Sequence, residues 1–416
     1  MSGSGLIRLM NGARDWFRSN SSATIEEIVG IVKMQWPLNL KGDTSILDID
    51  DRCTRCGICL KECLFLRKYG TPGELARNDL DGVEMDPLLP FYCSLCGLCE
   101  AVCPFRLKPQ EMFLALRKKR VQAKAVSMKN YRSLLRYEAF GRSRWATLYA
   151  IPERCHTVFF PGCTLPGTRP DKTMKLFWTL QKSIPALGMV LDCCTKPSHD
   201  LGRQNRFETM FGEILAFLVA NNIRTVITAC PNCHKVFTVY GRGLNVISAY
   251  ALIDPKAIAP IIGGDKRPVT IHDPCVLRFE PSIHEAVRKL IRACGFPIEE
   301  MAHFGERTLC CGEGGSVMGA AHALASNWGG MRKTEAQGMI MVTYCAGCAG
   351  MLDRYTPTVH LLDVLFDSPK ETGGKNTVSR GLFTYWNRLR LKRHIQKDIP
   401  GMVTRDRPRV DENKMN

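Results

Sequence analysis

The chain has no run of about 18 apolar residues, so nothing in its 416 residues reads as a membrane-spanning helix. Its N-terminus, MSGSGLIRLMNGARDWFRSN, lacks the apolar core and cleavage site of a secretory signal, which points to the cytoplasm. A dinucleotide fingerprint is missing too. The one glycine-dense loop, Gly312-Glu313-Gly314-Gly315, breaks the G-x-G-x-x-G spacing at Val317 and has no acidic partner placed for a ribose. With no flavin, nicotinamide or ATP motif, any such cofactor belongs to a partner subunit. Acidic residues are in deficit, 40 Asp+Glu against 57 Lys+Arg, a formal net charge of +17. No RNA- or DNA-binding motif accompanies that excess, so nucleic acid is set aside as a partner. What the sequence has in abundance is cysteine. Twenty of them, in a chain that is 45% hydrophobic and long enough for two or three domains, point to metal or redox chemistry in a reducing compartment.

The cysteines are clustered. One group is Cys53-x2-Cys56-x2-Cys59-x3-Cys63, and a second is Cys93-x2-Cys96-x2-Cys99-x3-Cys103-Pro104. Each has the spacing of a bacterial two-cluster ferredoxin, in which three close thiolates wrap one cubane and the fourth reaches across to the other. The expectation is one [4Fe–4S] cubane on Cys53, Cys56, Cys59 and Cys103, and another on Cys93, Cys96, Cys99 and Cys63. Gly57 and Gly97 follow the second cysteine of each set, where a tight turn calls for positive φ. Leu64 stands where the motif usually has Pro. Two zinc sites would also use C-x-x-C units, but two matching quartets exclude a structural zinc protein.

Ten of the remaining cysteines repeat. Cys163, the pair Cys193-Cys194 and Cys230-Pro-Asn-Cys233 form one set; Cys275, the pair Cys310-Cys311 and Cys345-Ala-Gly-Cys348 form the other. Corresponding cysteines lie 112 to 117 residues apart, which marks a duplication of one unit. Five thiols are one more than tetrahedral zinc or a simple cubane requires. Cys155 and Cys294 are left over and read as small buried hydrophobes.

Around each five-cysteine set the pattern alternates short apolar strands with helices. Strands are expected at Thr157–Phe160, Met189–Leu191 and Thr225–Thr228 in the first unit, and at Val269–His272 and Met339–Thr343 in the second. Helices are expected at Asp171–Ser183, Phe207–Asn221, Ser282–Ala293 and Ala320–Lys333. Such βαβ alternation predicts parallel sheets with the cysteines at the carboxyl ends of the strands, and two units facing each other across their sites. The fold class is therefore α+β multidomain, an α-helical two-cluster ferredoxin-like domain followed by two duplicated α/β domains. The expected divisions are a helical lead-in at 1–45 (Ile25–Met34 periodic), a ferredoxin-type domain at 46–108, a basic helical connector at 109–150, cysteine-rich units at 151–260 and 261–368, and a basic tail at 369–416.

These paired C…CC…C-x-x-C units resemble the cysteine-rich "CCG" domains of the heterodisulfide reductase B subunit. Joined to a two-cluster ferredoxin module, the layout is similar to the fused D subunit of membrane-linked heterodisulfide reductases. It is similar also to the iron–sulfur subunits of anaerobic glycerol-3-phosphate dehydrogenase and glycolate oxidase. FFPGC at 159–163, ACPNCH at 229–234, HDPC at 272–275 and CCG at 310–312 carry the resemblance. It implies that Cys163, Cys193, Cys194, Cys230 and Cys233 hold one noncubane [4Fe–4S] cluster. Cys275, Cys310, Cys311, Cys345 and Cys348 would hold the other, with a disulfide substrate between them. At Thr195 the first pair lacks its glycine, which removes no ligand.

The expected function is an iron–sulfur oxidoreductase subunit that relays electrons through two cubanes to two noncubane clusters and reduces a disulfide. The alternative is a pure electron-transfer subunit of a flavin dehydrogenase acting on glycolate, lactate or glycerol 3-phosphate and passing electrons toward quinone. The implied partners are a flavoprotein, a hydrogenase or a cytochrome b-like membrane subunit, with a small disulfide or thiol as substrate. No acid–base constellation is evident, as homolytic S–S cleavage would allow. His234 and His272 flank cluster cysteines and are read either as donors that tune the sulfurs or as residues that simply orient their loops. The positive charge concentrates in residues 106–145, with 12 Lys/Arg against two acidic residues, and in 370–416, with 12 against five. In the tail, Leu382, Trp386 and Leu389 are read as one face of a basic helix suited to an anionic membrane or an acidic partner on the inner face of the cell membrane.

Overall fold

The computed structural model describes residues 42–258, 267–367 and 378–399, and the backbone of 402–403. The predicted helix Ile25–Met34 and the polar end of the tail lie outside the described residues. An N-terminal helical region is followed by two α/β units with parallel sheets.

In the helical region, Gly42–Arg52 crosses the expected boundary at 45/46 and lies against Pro72–Leu80 and Pro109–Gln122. Thr71 caps Pro72–Leu80: its hydroxyl accepts from the Glu74 N–H at 3.3 Å, and the Glu74 carboxylate returns to the Thr71 N–H at 2.7 Å. Phe65, Leu75, Met112, Phe113 and Leu116 fill the core beneath the first eight cysteines.

The first α/β unit is a six-stranded sheet in the order β5-β4-β2-β3-β1-β9. Strands β2 (Thr157–Phe160), β3 (Gly188–Leu191), β4 (Thr225–Thr228) and β5 (Asn245–Ser248) are parallel. β1 (Leu148–Ala150), from the stretch read as connector, pairs antiparallel with β3, and β9 (Met402–Val403), from the tail, pairs antiparallel with β1. The second unit has a parallel sheet of β6 (Val269–His272), β7 (Ile340–Thr343) and β8 (Thr358–His360). The two units are thus unequal. The counterpart of β3 among the described residues is reduced to a single parallel bridge, Val269–Ile298, and Cys310-Cys311 arrives on a loop.

The predicted helices appear at Pro170–Gln181, Gln204–Ala220, Pro281–Ala293 and His322–Ala336. The last runs through Gly329-Gly330 because Tyr355 lies on Gly329, where a Cβ would meet the ring at 2.4 Å. The tail forms the helix Leu382–Asp398, and Leu382 and Trp386, read as part of a face for a membrane or a partner, stay on its outside. Arg388, Leu391 and Ile395 are buried, while Leu382 is 85% exposed and Trp386 59%. The spacing 388, 391, 395 is itself helical, and an arginine occupies a place that hydrophobicity alone would not give it.

Candidate iron–sulfur centres

Each of the first two cysteine motifs folds the same way. Gly57 (φ 76°) and Gly97 (φ 72°) take the left-handed conformation and start the short helices Ile58–Glu62 and Leu98–Val102. Each helix ends at the motif's fourth cysteine in extended backbone, Cys63 and Cys103. Arg55 and Leu95, at matching positions, are also left-handed (φ 55° and 51°), and the Leu95 N–H donates to the Cys93 sulfur at 3.4 Å. Leu64 opens the helix Leu64–Tyr69 at a first-turn position where proline would also fit, so its departure from the motif changes little.

Cys53, Cys56, Cys59 and Cys103 line one cavity, together with Cys99, Gly57 and Pro104. Cys63, Cys93, Cys96 and Cys99 line a second, with Gln110 and Trp328. Burial and the neighbouring Cys53 push the Cys59 thiol up to about 12; burial and Cys96 push Cys93 to about 12. Crowded thiols of this kind favour a cation that takes them as thiolates and releases their protons. The donor set therefore fits an iron–sulfur group at each cavity.

Eight of the ten cysteines of the five-cysteine sets follow the carboxyl ends of strands, and Cys310 and Cys311 come in on a loop. In the first, Cys163 hydrogen-bonds Cys193, the Cys194 and Cys233 sulfurs are 3.4 Å apart, and Cys233 hydrogen-bonds Cys230. Gly162 (φ 85°) permits this approach, because a Cβ there would stand 2.8 Å from the Cys230 Cβ. In the second set hydrogen bonds run Cys275–Cys310–Cys311–Cys348–Cys345. These hydrogen bonds favour particular sulfurs as thiolates, Cys163 and, through Cys233, Cys230 in the first set and Cys310 in the second. The Cys193 hydrogen bond brings Cys163 down to about 6 against the effect of desolvation, and the Cys275 and Cys311 thiols lower Cys310. Thr195 takes the left-handed turn that Gly312 takes in the second set (φ 56° against 95°), a strain of about 1–2 kcal/mol for a β-branched residue.

The two predicted histidines differ. His234 turns to Thr228, its Nδ1 3.0 Å from the hydroxyl, and orients the loop. His272 is fully buried, with Cys311 and Cys348 within 4.8 Å of its nitrogens, and neither nitrogen has a hydrogen-bond partner among the described residues. Burial and then Arg332 push its pKa down to about 3, so it stays a neutral imidazole with one N–H to give. The first unit has Phe160 at the corresponding place. Cys155 and Cys294 are buried, the Cys155 thiol donating to the Thr157 carbonyl at 3.1 Å.

The second quartet meets the second five-cysteine set directly. Cys96 and Cys310 lie close enough to oppose each other's ionisation. Trp328 packs with Cys275, Cys310 and Leu98, and Cys63 and Cys96 border that cluster. Arg278, buried, donates to the Cys96 carbonyl at 3.0 Å and the Thr308 carbonyl at 2.7 Å, and also to the Glu306 carbonyl. Between the units, the Tyr250 hydroxyl donates to the carbonyls of Ala229 (2.9 Å) and Tyr344 (3.4 Å), the residues preceding Cys230 and Cys345. Glu313 reaches solvent between Cys310 and Cys163; the surrounding protein and those sulfurs raise its carboxyl.

Reading the sequence did not single out Arg117, Arg278, Arg332, Arg388, Trp328 or Glu313. The four arginines are among the largest fully buried side chains. Their only trace in the sequence is positive charge, which says nothing about which side of the surface it occupies.

Residues 50–157 match the 4Fe-4S dicluster domain, and residues 157–238 and 269–353 each match the cysteine-rich CCG domain. The chain is 22% identical over 320 residues to a "Probable membrane-anchored ferredoxin" of Chromohalobacter salexigens; the match covers 68% of this chain and 47% of that one. It is 24% identical over 335 residues to the D subunit of the dihydromethanophenazine:CoB–CoM heterodisulfide reductase of Methanosarcina mazei, covering 66% of this chain and 80% of that one. A 104-residue stretch is 33% identical to the "Uncharacterized electron transport protein YkgF" of Escherichia coli, covering 22% and 21% of the two chains. The chain thus spans about half of the first relative and four fifths of the second. It is an iron–sulfur protein with a dicluster module and two CCG domains, related at family level to the heterodisulfide reductase D subunit. No helix among the described residues is long and apolar enough to cross a membrane.

Proposed function

We propose that the protein carries single electrons through two [4Fe–4S] cubanes to noncubane [4Fe–4S] clusters on its two five-cysteine sets, and there reduces a disulfide. The observation that carries this reading is the cluster of Trp328, Leu98, Cys275 and Cys310 with Cys63 and Cys96 packed against it, which brings the second quartet beside the second set. When bound, such clusters supply one electron at a time and an iron able to hold sulfur. The chain's own residues do the rest. Cys56 is exposed, so the first quartet is open to a donor subunit, whereas every cysteine of the second set is buried. Cys163 and Cys230 are half-buried, which leaves the first set the more open to a small molecule. The balance is R–S–S–R′ + 2 e⁻ + 2 H⁺ → RSH + R′SH, with electrons from a flavoprotein, hydrogenase or quinone-linked subunit.

Anaerobically isolated protein is expected to hold ~16 Fe per chain and to develop a paramagnetic signal when an oxidant and a thiol such as coenzyme M are added together. Full iron with no thiol-dependent signal would favour the second reading, a relay subunit of a flavin dehydrogenase, to which the electron-transport names of two relatives lend weight. About eight Fe would leave the CCG sets empty.

The exposed Leu382, Phe383 and Trp386, with Arg390 on the same helix, give the tail an outer face for a partner subunit on the membrane. A second expected result concerns His272. His272→Phe, which copies the first unit's Phe160, removes the N–H available to the Cys311 and Cys348 sulfurs and should lower the second site's potential. Redox titration followed by low-temperature EPR measures it; an unmoved potential would assign His272 to packing alone.

A further inference from the structure

The tail helix Leu382–Asp398 is not an appendage. It lies along Thr164–Thr168, the short helix that follows Cys163. The Asn387 side chain donates to the Gly167 carbonyl at 2.9 Å, and a Cβ at Gly167 would stand 3.1 Å from the Thr384 carbonyl. This seat delivers Arg388, 1% exposed, into the protein. Its guanidinium sits 5.8 Å from the Tyr137 ring and 5.6 Å from the Phe140 ring, and Nη2 donates to the Gly141 carbonyl at 3.1 Å. The Tyr137 hydroxyl in turn donates to the Cys163 carbonyl at 3.1 Å. Nη1 has no hydrogen-bond partner among the described residues. It lies in the space that a side chain at Gly141 would fill: a Cβ there would be 2.7 Å from Nη1 and 3.3 Å from the Cys193 Cβ. A buried cationic donor without an acceptor is costly unless something negative completes it.

We infer that the tail helix forms part of the first cysteine-rich site. Arg388 is a positioning residue whose Nη1 donates to a sulfur of the iron–sulfur group held by Cys163 and Cys193 and stabilises that group's reduced, more negative state. The inference rests on the reading that the first set holds such a group. The second site is served differently. Its buried arginine, Arg332, comes from the helix His322–Ala336 within the repeat, with Nε and Nη2 unpartnered among the described residues. The two sites therefore receive their charge from elements that the duplication does not relate.

The test uses the anaerobically loaded full chain, with Arg388→Gln, Arg388→Lys and, as control, Arg393→Gln on the exposed side of the same helix. R388Q is expected to make reduction of the first site about tenfold less favourable at a fixed potential, ~59 mV for a one-electron couple. The second site should not move, R388K should recover most of the shift, and R393Q should match the wild type. A purely structural arginine would lower thermal stability in R388Q and leave the potential in place, which overturns the inference. If R388Q loses first-site iron, R388K decides: retained iron at a near-native potential supports the role of charge, and loss of iron there too overturns it. Wild-type iron of about 12 per chain or fewer, with the first set empty, sinks the cluster reading and this inference with it; full iron with unmoved potentials sinks this inference alone.

Discussion

Arg117→Met is expected to destabilise the protein by about 3–5 kcal/mol and to split its unfolding into more than one transition. Arg117 is fully buried. Its Nε donates to the Pro90 carbonyl at 3.0 Å and its Nη2 to the Cys93 carbonyl at 2.6 Å, both in the ferredoxin-like module. Its Nη1 donates to the Asp200 carbonyl of the first CCG unit at 2.6 Å and to the Gly315 carbonyl of the second at 2.7 Å. The ring of Phe91 lies 5.0 Å from the guanidinium. Methionine keeps the apolar stem but leaves four buried carbonyls without their donor, each costing about 1–3 kcal/mol, and such losses do not add in full. Desolvation of the guanidinium, which lowers its pKa, works the other way and is relieved by the change. Four short bonds outweigh it. Because the carbonyls belong to three modules, the loss falls on the junction, and calorimetry should resolve modules that melt together in the wild type. A single unshifted transition would show that the junction does not depend on this side chain.

Asp363→Asn should cost a similar amount, about 3–5 kcal/mol, by a different route. The Asp363 carboxylate, in the helix Leu361–Phe366 of the second unit, accepts from Arg169 Nε of the first unit at 2.8 and 2.9 Å and from Lys172 at 3.0 Å. It also caps its own helix, accepting from the His360 N–H at 3.0 Å. Asparagine can preserve the cap, but it leaves Arg169, 6% exposed, as an uncompensated buried cation. Burial would raise the Asp363 carboxyl, and Arg169, His360 and Lys172 together overcome it and hold it at about 2. A folded pKa below the unfolded value of about 3.9 adds stability that is complete above that value and disappears as pH falls toward 2. The wild-type advantage over D363N, read by denaturant unfolding, should thus be constant from pH 7 to 5 and shrink only below about pH 4. A difference that faded between pH 7 and 5 would assign it to another group.

Arg117 and Arg169 show where the sequence stops being legible. The cysteine spacings are local, and the turns they need are announced by Gly57, Gly97 and Gly162. Strands β2, β4, β6 and β7 announce themselves as short apolar runs ending at cysteines, so the α/β units and the place of the ten sulfurs could be read directly. His272 could be singled out because it sits three residues from Cys275. Arg117 and Arg388 could not. They belong to the two basic stretches that look like solvated surface, and their acceptors are backbone carbonyls, which every residue carries. The strand Leu148–Ala150 was hidden for the same reason, since three apolar residues inside a basic segment have no period to betray them. In the tail, an amphipathic reading finds the apolar residues but not the side that faces inward, because the inward side carries an arginine.

The sheet order has a consequence for the timing of assembly. The first CCG unit takes its edge strand β9 and the helix bearing Arg388 from the far end of the chain, after the entire second unit. Between β5 and β9 a ribosome working at ~5–20 residues per second needs roughly 8–30 s. The ferredoxin quartets are translated before that interval and the second set within it, whereas the first set stays open on the side that the tail will cover. Iron delivered during synthesis would meet the sites in that order, and the first CCG site would be the last to close.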